Sequence, residues 1–259
     1  MPTFETEGIV LKHFDLGESD KIITFYTRDN GKVRAVANGV RKAKSRISGL
    51  VLPFSYNDIK IYQGKSLAKI NNIENKYSFS ELRENLLKMA YASYVAEISA
   101  KTGQEDKPNE LFFALILKTL YNIKNTDEND TPKLDLINIT FKGKLLEILG
   151  FKPELTKCVK CDKKIAPSKS NIFSISHGGV ICNQCSQNNS EYNFYLSGES
   201  LVILRYLLGE NKKMPNNLKI SEDAFQIINK LIDQFIIYHL EINIKSEKFL
   251  HMIKNLGKN

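Results

Sequence analysis

From residue 1 to about residue 78 the apolar positions are spaced for strands. Gly8 to Leu11 is a short apolar run. Lys21 to Thr27 (KIITFYT) is β-branched and aromatic, and stops at the turn Arg28-Asp29-Asn30-Gly31. Lys32 to Ala37 sets Val33, Ala35 and Ala37 against Lys32, Arg34 and Val36, the two-residue period of a pleated strand. Tyr56 to Tyr62 alternates again, and Gln63-Gly64-Lys65 turns the chain into a last strand, Leu67 to Ile73. Five short strands separated by turn signals predict a small barrel or sandwich. In so few residues a five-stranded OB barrel is the natural candidate.

The period changes after Ser80. Leu82, Leu86, Met89, Ala90, Val95 and Ile98 recur at helical spacing, predicting a helix over 81–101 with Ser80 as N-cap and Gly103 beyond its end. Glu110 to Ile123 predicts a second helix. Thr131 caps a third, with Pro132 at its first position and Gly150 past its last. Residues 151–193 lose helical periodicity and end in the polar linker 183–193. Helices resume at Glu199 to Leu208, capped by Ser197, and in a long segment begun by Ser221. That segment carries Phe225, Ile228, Leu231, Ile232, Phe235 and Tyr238 on one face, and a final turn or two follows from Ser246 to Ile253. The fold class expected is α+β and multidomain. An OB-fold barrel occupies 1–79, an α-helical domain 80–150 and 195–259, and an inserted cysteine module 151–194.

The aperiodic segment holds all four cysteines, as Cys158-Val159-Lys160-Cys161 and Cys182-Asn183-Gln184-Cys185. Each CxxC knuckle spans one edge of a tetrahedron, and two knuckles complete the four-thiolate shell of structural zinc. The same ligands suit an iron–sulfur cluster, so spacing alone leaves the metal open. A redox CxxC sits at a helix start in a βαβ context, and neither pair does so here. His177 stands close in sequence but is not needed once four sulfurs are present. A closed shell leaves no position for substrate, so the zinc expected is structural, not catalytic.

Charge adds a second feature. The chain carries 37 Lys and Arg against 29 Asp and Glu, a net charge of +8. The excess is local: residues 31–50 hold Lys32, Arg34, Arg41, Lys42, Lys44 and Arg46 with no acid. Phosphates meeting such a field release counterions. Phe25, Tyr26, Phe54, Tyr56 and Tyr62 lie nearby in sequence, and single strands are held by basic grooves together with stacked aromatics. Alternation puts Phe25 and Tyr26 on opposite faces, so at most one of them belongs to the barrel core. The cysteine module is basic too, through Lys152, Lys157, Lys160, Lys163, Lys164 and Lys169.

Several classes of chemistry find no support. There is no GxxxxGK phosphate loop, GxGxxG, HExxH or GxSxG. Glu18 and Asp20 read as turn residues, and the four histidines are dispersed. No apolar run approaches a membrane span, and the start lacks the pattern of a secretory signal. A non-enzymatic cytoplasmic protein is expected.

The segment TEGIVLKHFDLGESDKIITFYTRDNGKVRAVANGVRKAKS resembles the N-terminal domain of the RecO family. The likeness is carried by Gly8-Ile9-Val10-Leu11, Gly17-Glu18-Ser19-Asp20, Thr27-Arg28-Asp29-Asn30-Gly31 and Gly39 to Ser45. The order of barrel, helices, four-cysteine module and helices is also that of the family. The resemblance implies DNA repair by the RecFOR route of homologous recombination. It implies binding of single- and double-stranded DNA, annealing of complementary strands, and association with RecR. It also implies contact with the C-terminal tail of the single-strand-binding protein and, indirectly, help in loading RecA near the nucleoid. By residue it implies Cys158, Cys161, Cys182 and Cys185 as zinc ligands, and Lys32 to Arg46 as the DNA-contacting segment. The rival from another class is a zinc-ribbon and OB protein acting on RNA or in transcription, which a preference for the 2′-hydroxyl would reveal. A thiol redox enzyme is a second rival.

Overall fold

A computed structural model gives the architecture, describing residues 3–64, 67–168, 170–186, 193–208 and 220–256. Lys65, Lys169 and most of the linker 183–193 lie outside the described residues. The chain folds into two compact units, residues 1–138 with 244–259, and residues 139–243.

The first unit opens with β1 (Thr3–Leu16), β2 (Asp20–Thr27), β3 (Gly31–Ala37), β4 (Tyr56–Tyr62) and β5 (Ala68–Tyr77). They close a barrel in the order β1-β2-β3-β5-β4, with β3 and β5 parallel and every other pair antiparallel. This is the expected five-stranded OB-like barrel. Its interior is filled by Val10, Ile23, Phe25, Ala35, Ala37, Ile59, Ile61 and Ile73, with Val40 and Val51 from the β3–β4 loop. Closure depends on β1, which is far longer than the apolar run Gly8 to Leu11 suggested. Its first half pairs with β4 from Thr3 to Ile9, and its second half with β2 from Gly8 to Leu16. Between Val10 and Lys12 the register shifts at a bulge. Val10 faces Phe25 inside the barrel, yet Lys12, two residues on, faces Thr24 outside. The bulge therefore reverses the inside–outside phase of the strand.

Helices cover part of the barrel's outer surface. α1 (Ser80–Glu84) and α2 (Leu86–Thr102) replace the single helix expected over 81–101. Asn85 is extended, at φ −113° and ψ 122°, and its side chain accepts the Lys88 N–H. A side chain that bonds its own backbone competes with the helix and caps a new one instead. Ser80 is the first residue of α1 rather than its cap, and Phe79 before it is left-handed. α3 (Glu110–Asn125) is capped by Asn109. α4 (Thr131–Ile148) begins where expected, but the Asp130 carboxylate, not Thr131, accepts the N–H of Lys133 at 3.1 Å. Gly31 opens β3 at φ +65°, where an added Cβ would lie 2.6 Å from the carbonyl oxygens of Gln104 and Lys107. Only glycine fits a left-handed turn pressed so closely against another backbone.

α7 (Lys245–Leu256) completes this unit and, with 12 residues, is longer than the turn or two expected. The Glu97 carboxylate on α2 accepts the backbone N–H groups of Lys245 at 3.1 Å and Ser246 at 2.7 Å, satisfying donors that a helix start leaves unpaired. Further along α7, the Lys254 ammonium meets Asp135 at 2.6 Å, and Asp135 also accepts the Tyr91 hydroxyl.

The second unit holds three short strands that helical periodicity could not reveal: β6 (Asn171–Ser174), β7 (Gly179–Ile181) and β8 (Asn193–Leu196), ordered β7-β6-β8. α5 (Gly198–Leu208) and α6 (Glu222–Leu240) follow, with Ser197 and Ser221 accepting the N–H groups of Ser200 and Ala224 as capping residues. Phe173 of β6 packs edge-on against Phe235 of α6 at 5.8 Å. The buried Lys142 ammonium pairs with Asp233 at 2.5 Å and donates to Asn229 at 2.9 Å, so neither charge is desolvated without a partner. No described helix is long and apolar enough to cross a membrane.

Candidate nucleic-acid interface and cysteine centre

The six basic residues picked from the sequence separate into two groups. Lys32 and Arg34 project from the outer face of β3. The Lys32 ammonium donates to the Ala100 carbonyl at 3.2 Å, and Arg34 pairs with Glu105 at 2.9 Å. Arg41, Lys42, Lys44 and Arg46 lie on the β3–β4 loop, all exposed. Arg41 fixes the loop: its guanidinium donates to the Gly17 carbonyl at 2.9 Å and pairs with Asp15 at 3.4 Å. Its backbone N–H donates to Ser19, and the Gly39 N–H donates to the Asp20 carboxylate at 2.7 Å. That Gly39 bond, then the Ser19 hydroxyl and the nearby Lys42 and Lys69, hold the Asp20 pKa below its ordinary value. Among the described residues, no carboxylate lies within ion-pair reach of Lys42, Lys44 or Arg46. The basic loop is thus docked on the β1–β2 turn, with its outer three cations unneutralised. In OB-type barrels the β1–β2 loop, the β4–β5 loop and the outer face of β2–β3 are the usual ligand surface.

The aromatic part of the expectation requires correction. Phe25, Tyr26, Phe54 and Tyr56 are buried, and of the five only Tyr62 is exposed, at 37%. Phe25 fills the barrel. Tyr26, on the opposite face, is not freed for stacking, because Phe112 of α3 covers it with ring centroids 4.7 Å apart. Tyr56 packs against Phe113 in the same way. Alternation separated the two faces correctly but could not show that helices cover the outer one. The sequence reading missed Phe14, which is 56% exposed, and Lys12, whose ammonium lies 5.2 Å from the Phe14 ring. Their signal was hidden by the β1 bulge, since an unbroken alternation from Val10 would have sent both inward.

Away from this surface, a polar depression on the β1–β4–β5 side is lined by Glu5, Glu7, Asp29, Asp58 and Glu74 against Arg28 and Lys60. Acids outnumber bases there, so the barrel presents one phosphate-repelling side and one phosphate-attracting end.

In the second unit the four cysteines converge. Their sulfurs all lie within 4.8 Å of one another, and Cys161 and Cys182 are 3.7 Å apart. A tetrahedral shell with metal–sulfur bonds of ~2.3 Å has sulfur–sulfur edges of ~3.8 Å. Burial raises the Cys158 pKa, but the N–H groups of Cys182, Lys160 and Cys161 outweigh it and bring the thiol to about 6. Cys185, hydrogen-bonded through its thiol to Cys182 and Cys161, is pushed up to about 12. Four thiols this close cannot all ionise alone, and a divalent cation removes that conflict. The donor set therefore fits a metal. Arg205 of α5 anchors the centre by donating to the carbonyls of Leu155 and Ile165 at 2.6 to 2.8 Å. His177 lies outside the cluster, with Nδ1 3.0 Å from the Ser174 hydroxyl. Lys157, Lys160, Lys163 and Lys164 are exposed around the centre, while Lys152 pairs with Glu147.

Comparison with known proteins fits both halves of this arrangement. The family described as recombination protein O, N terminal, matches residues 1–79, and recombination protein O, C terminal, matches residues 83–248. The chain belongs to the RecO family. It is 34% identical to a DNA repair protein RecO of Alkaliphilus metalliredigens over 243 residues, covering 93% of this chain and 96% of that protein. The RecO of Thermoanaerobacter sp. is 32% identical over 256 residues, covering 99% of this chain and all of that protein. The RecO of Bacillus subtilis is 30% identical over 250 residues, covering 96% and 94% respectively. RecO membership thus extends over both compact units.

Proposed function

We propose that this chain is a non-enzymatic DNA repair protein that binds single- and double-stranded DNA and anneals complementary strands. The observation that carries the reading is the docked loop whose Lys42, Lys44 and Arg46 stay exposed and unneutralised at the end of an OB-like barrel. Two strands drawn to one positive surface repel each other less and meet at raised effective concentration, so annealing needs no nucleotide. Lys32, Arg34 and Arg41 belong to the same interface, Arg34 sharing its charge with Glu105 and Arg41 with Asp15. The protein works in the cytoplasm on the nucleoid. It associates with RecR, engages the C-terminal tail of the single-strand-binding protein, and so helps to load RecA. Residues 1–79 act as the DNA-binding domain, 80–150 and 195–259 as the helical domain, and 151–194 as the metal module. Cys158, Cys161, Cys182 and Cys185 hold a structural zinc ion, which supplies folding energy to the module rather than a reactive water.

Fluorescence strand annealing of complementary oligonucleotides tests this, comparing the wild type with Lys42→Glu/Lys44→Glu/Arg46→Glu. Arg41 is spared because it holds the loop. Annealing by the wild type and failure of a folded triple variant are expected. A wild type that neither anneals nor binds a single strand refutes the reading and directs attention to RNA.

A further inference from the structure

Beyond the bulge, β1 carries Lys12 and Phe14 across the outer face of the barrel. Phe14 pairs across to Ile22, and Ile22 to Val36. Val36 is buried, whereas Phe14 at the end of this apolar row is uncovered. The next row holds Lys12, Thr24 and Arg34 as successive cross-strand partners. Burial, then the neighbouring Lys32, Lys101 and Arg34, lower the Lys12 pKa, with Glu97 as the opposing acid. Arg34 pairs with Glu105, and Lys101 with Glu97 at 3.1 Å. Among the described residues no carboxylate lies within ion-pair reach of Lys12. A crowded cation beside an exposed ring is a site short of one anion.

We propose that this face is a nucleotide subsite, in which an unpaired base stacks on the Phe14 ring and the adjacent phosphate is held by Lys12 and Arg34. The inference rests on the DNA-binding reading above and adds the element that reading lacks, a way to tell a single strand from a duplex. A ring can stack only on a base whose face is free, and a duplex offers none without local melting. The basic loop, which meets phosphates alone, binds both forms. Lys12 strengthens the subsite twice, by neutralising the phosphate and by its contact with the ring.

The chain contains no tryptophan, so Phe14→Trp provides a single fluorescent reporter on the subsite. Titration with an oligothymidylate single strand should quench its emission saturably, and a duplex of equal length should not. Phe14→Ala should weaken single-strand binding by about tenfold, as loss of one stacked base does, and leave duplex binding unchanged. Phe14→Tyr, which keeps the ring, should bind like the wild type. If Phe14→Ala binds the single strand as tightly as the wild type, or if the Phe14→Trp emission is silent while the strand is bound, the subsite is refuted and the exposed ring is left to a protein partner. In that case the loop cations still account for binding. A wild type that binds neither form removes the underlying reading and the subsite together.

Discussion

Replacing Lys42, Lys44 and Arg46 by glutamine should flatten the salt dependence of single-strand binding by a calculable amount. These three side chains are exposed and no carboxylate neutralises them, so each is available to a phosphate. A contact with single-stranded DNA contributes about 0.7 to the slope of log affinity against log salt, so three contacts contribute about 2. Between about 50 and 200 mM salt the wild type should therefore lose roughly 20-fold more affinity than the variant. Arg34→Gln should change the slope by less than a full contact, because Arg34 is already paired with Glu105. Fluorescence anisotropy of a labelled oligothymidylate across a sodium chloride series reads the slopes directly. Since all three residues are exposed, their replacement should alter stability by no more than about 0.5 kcal/mol, and equal melting curves verify that the variant is folded. A variant with the wild-type slope would show that the loop does not meet phosphates, whatever the total charge of the chain.

Purified protein should contain one zinc per chain, with all four thiols resistant to a thiol reagent until a strong chelator is added, after which the 139–243 unit should lose protection first. Four immediately reactive thiols with no bound metal would refute the zinc assignment. A third test concerns pH. Burial would raise the Glu97 pKa, but the N–H groups of Ser246 and Lys245 and the Lys101 ammonium hold it at about 2, against an ordinary value of 4.5. A carboxylate with a depressed pKa stabilises the fold above its ordinary value and loses that contribution as pH falls towards the lowered one. Hydrogen-exchange protection of α7 should therefore decline between about pH 4.5 and 2 in the wild type, and Glu97→Gln should start lower and decline less. Parallel pH profiles for the two proteins would refute the capping role.

The barrel was legible because its signal is local. β3 and β4 alternate over a whole strand, β2 is a β-branched and aromatic run, and turns such as Arg28 to Gly31 punctuate them. The cysteine pairs were equally legible, since two knuckles define their own geometry. Part of what escaped depends on contacts distant in sequence. Tyr26 looks like an exposed aromatic until Phe112, far along the chain, covers it. Asn85 divides a segment whose apolar spacing is otherwise unbroken. The strands β6 to β8 are three or four residues long, too short for a period to register. Of the predicted DNA contacts, sequence could not distinguish Arg34, held by Glu105, from Lys44, left unpaired, because both stand in the same acid-free stretch.

The bulge at Val10 to Lys12 gives β1 two separate constituencies. Before it, alternate residues such as Phe4, Gly8 and Val10 answer to the barrel core, where a change of volume is felt at once; after it, Lys12 and Phe14 answer to whatever arrives from solvent. The outer surface of one strand can therefore vary in sequence without renegotiating the interior that the same strand helps to seal. The arrangement has one sensitive point. Gain or loss of a single residue at the bulge would reverse the phase of the residues beyond it, sending Phe14 and Lys12 inward. Length at this position, more than the identity of any one side chain, keeps the core and the outer surface apart.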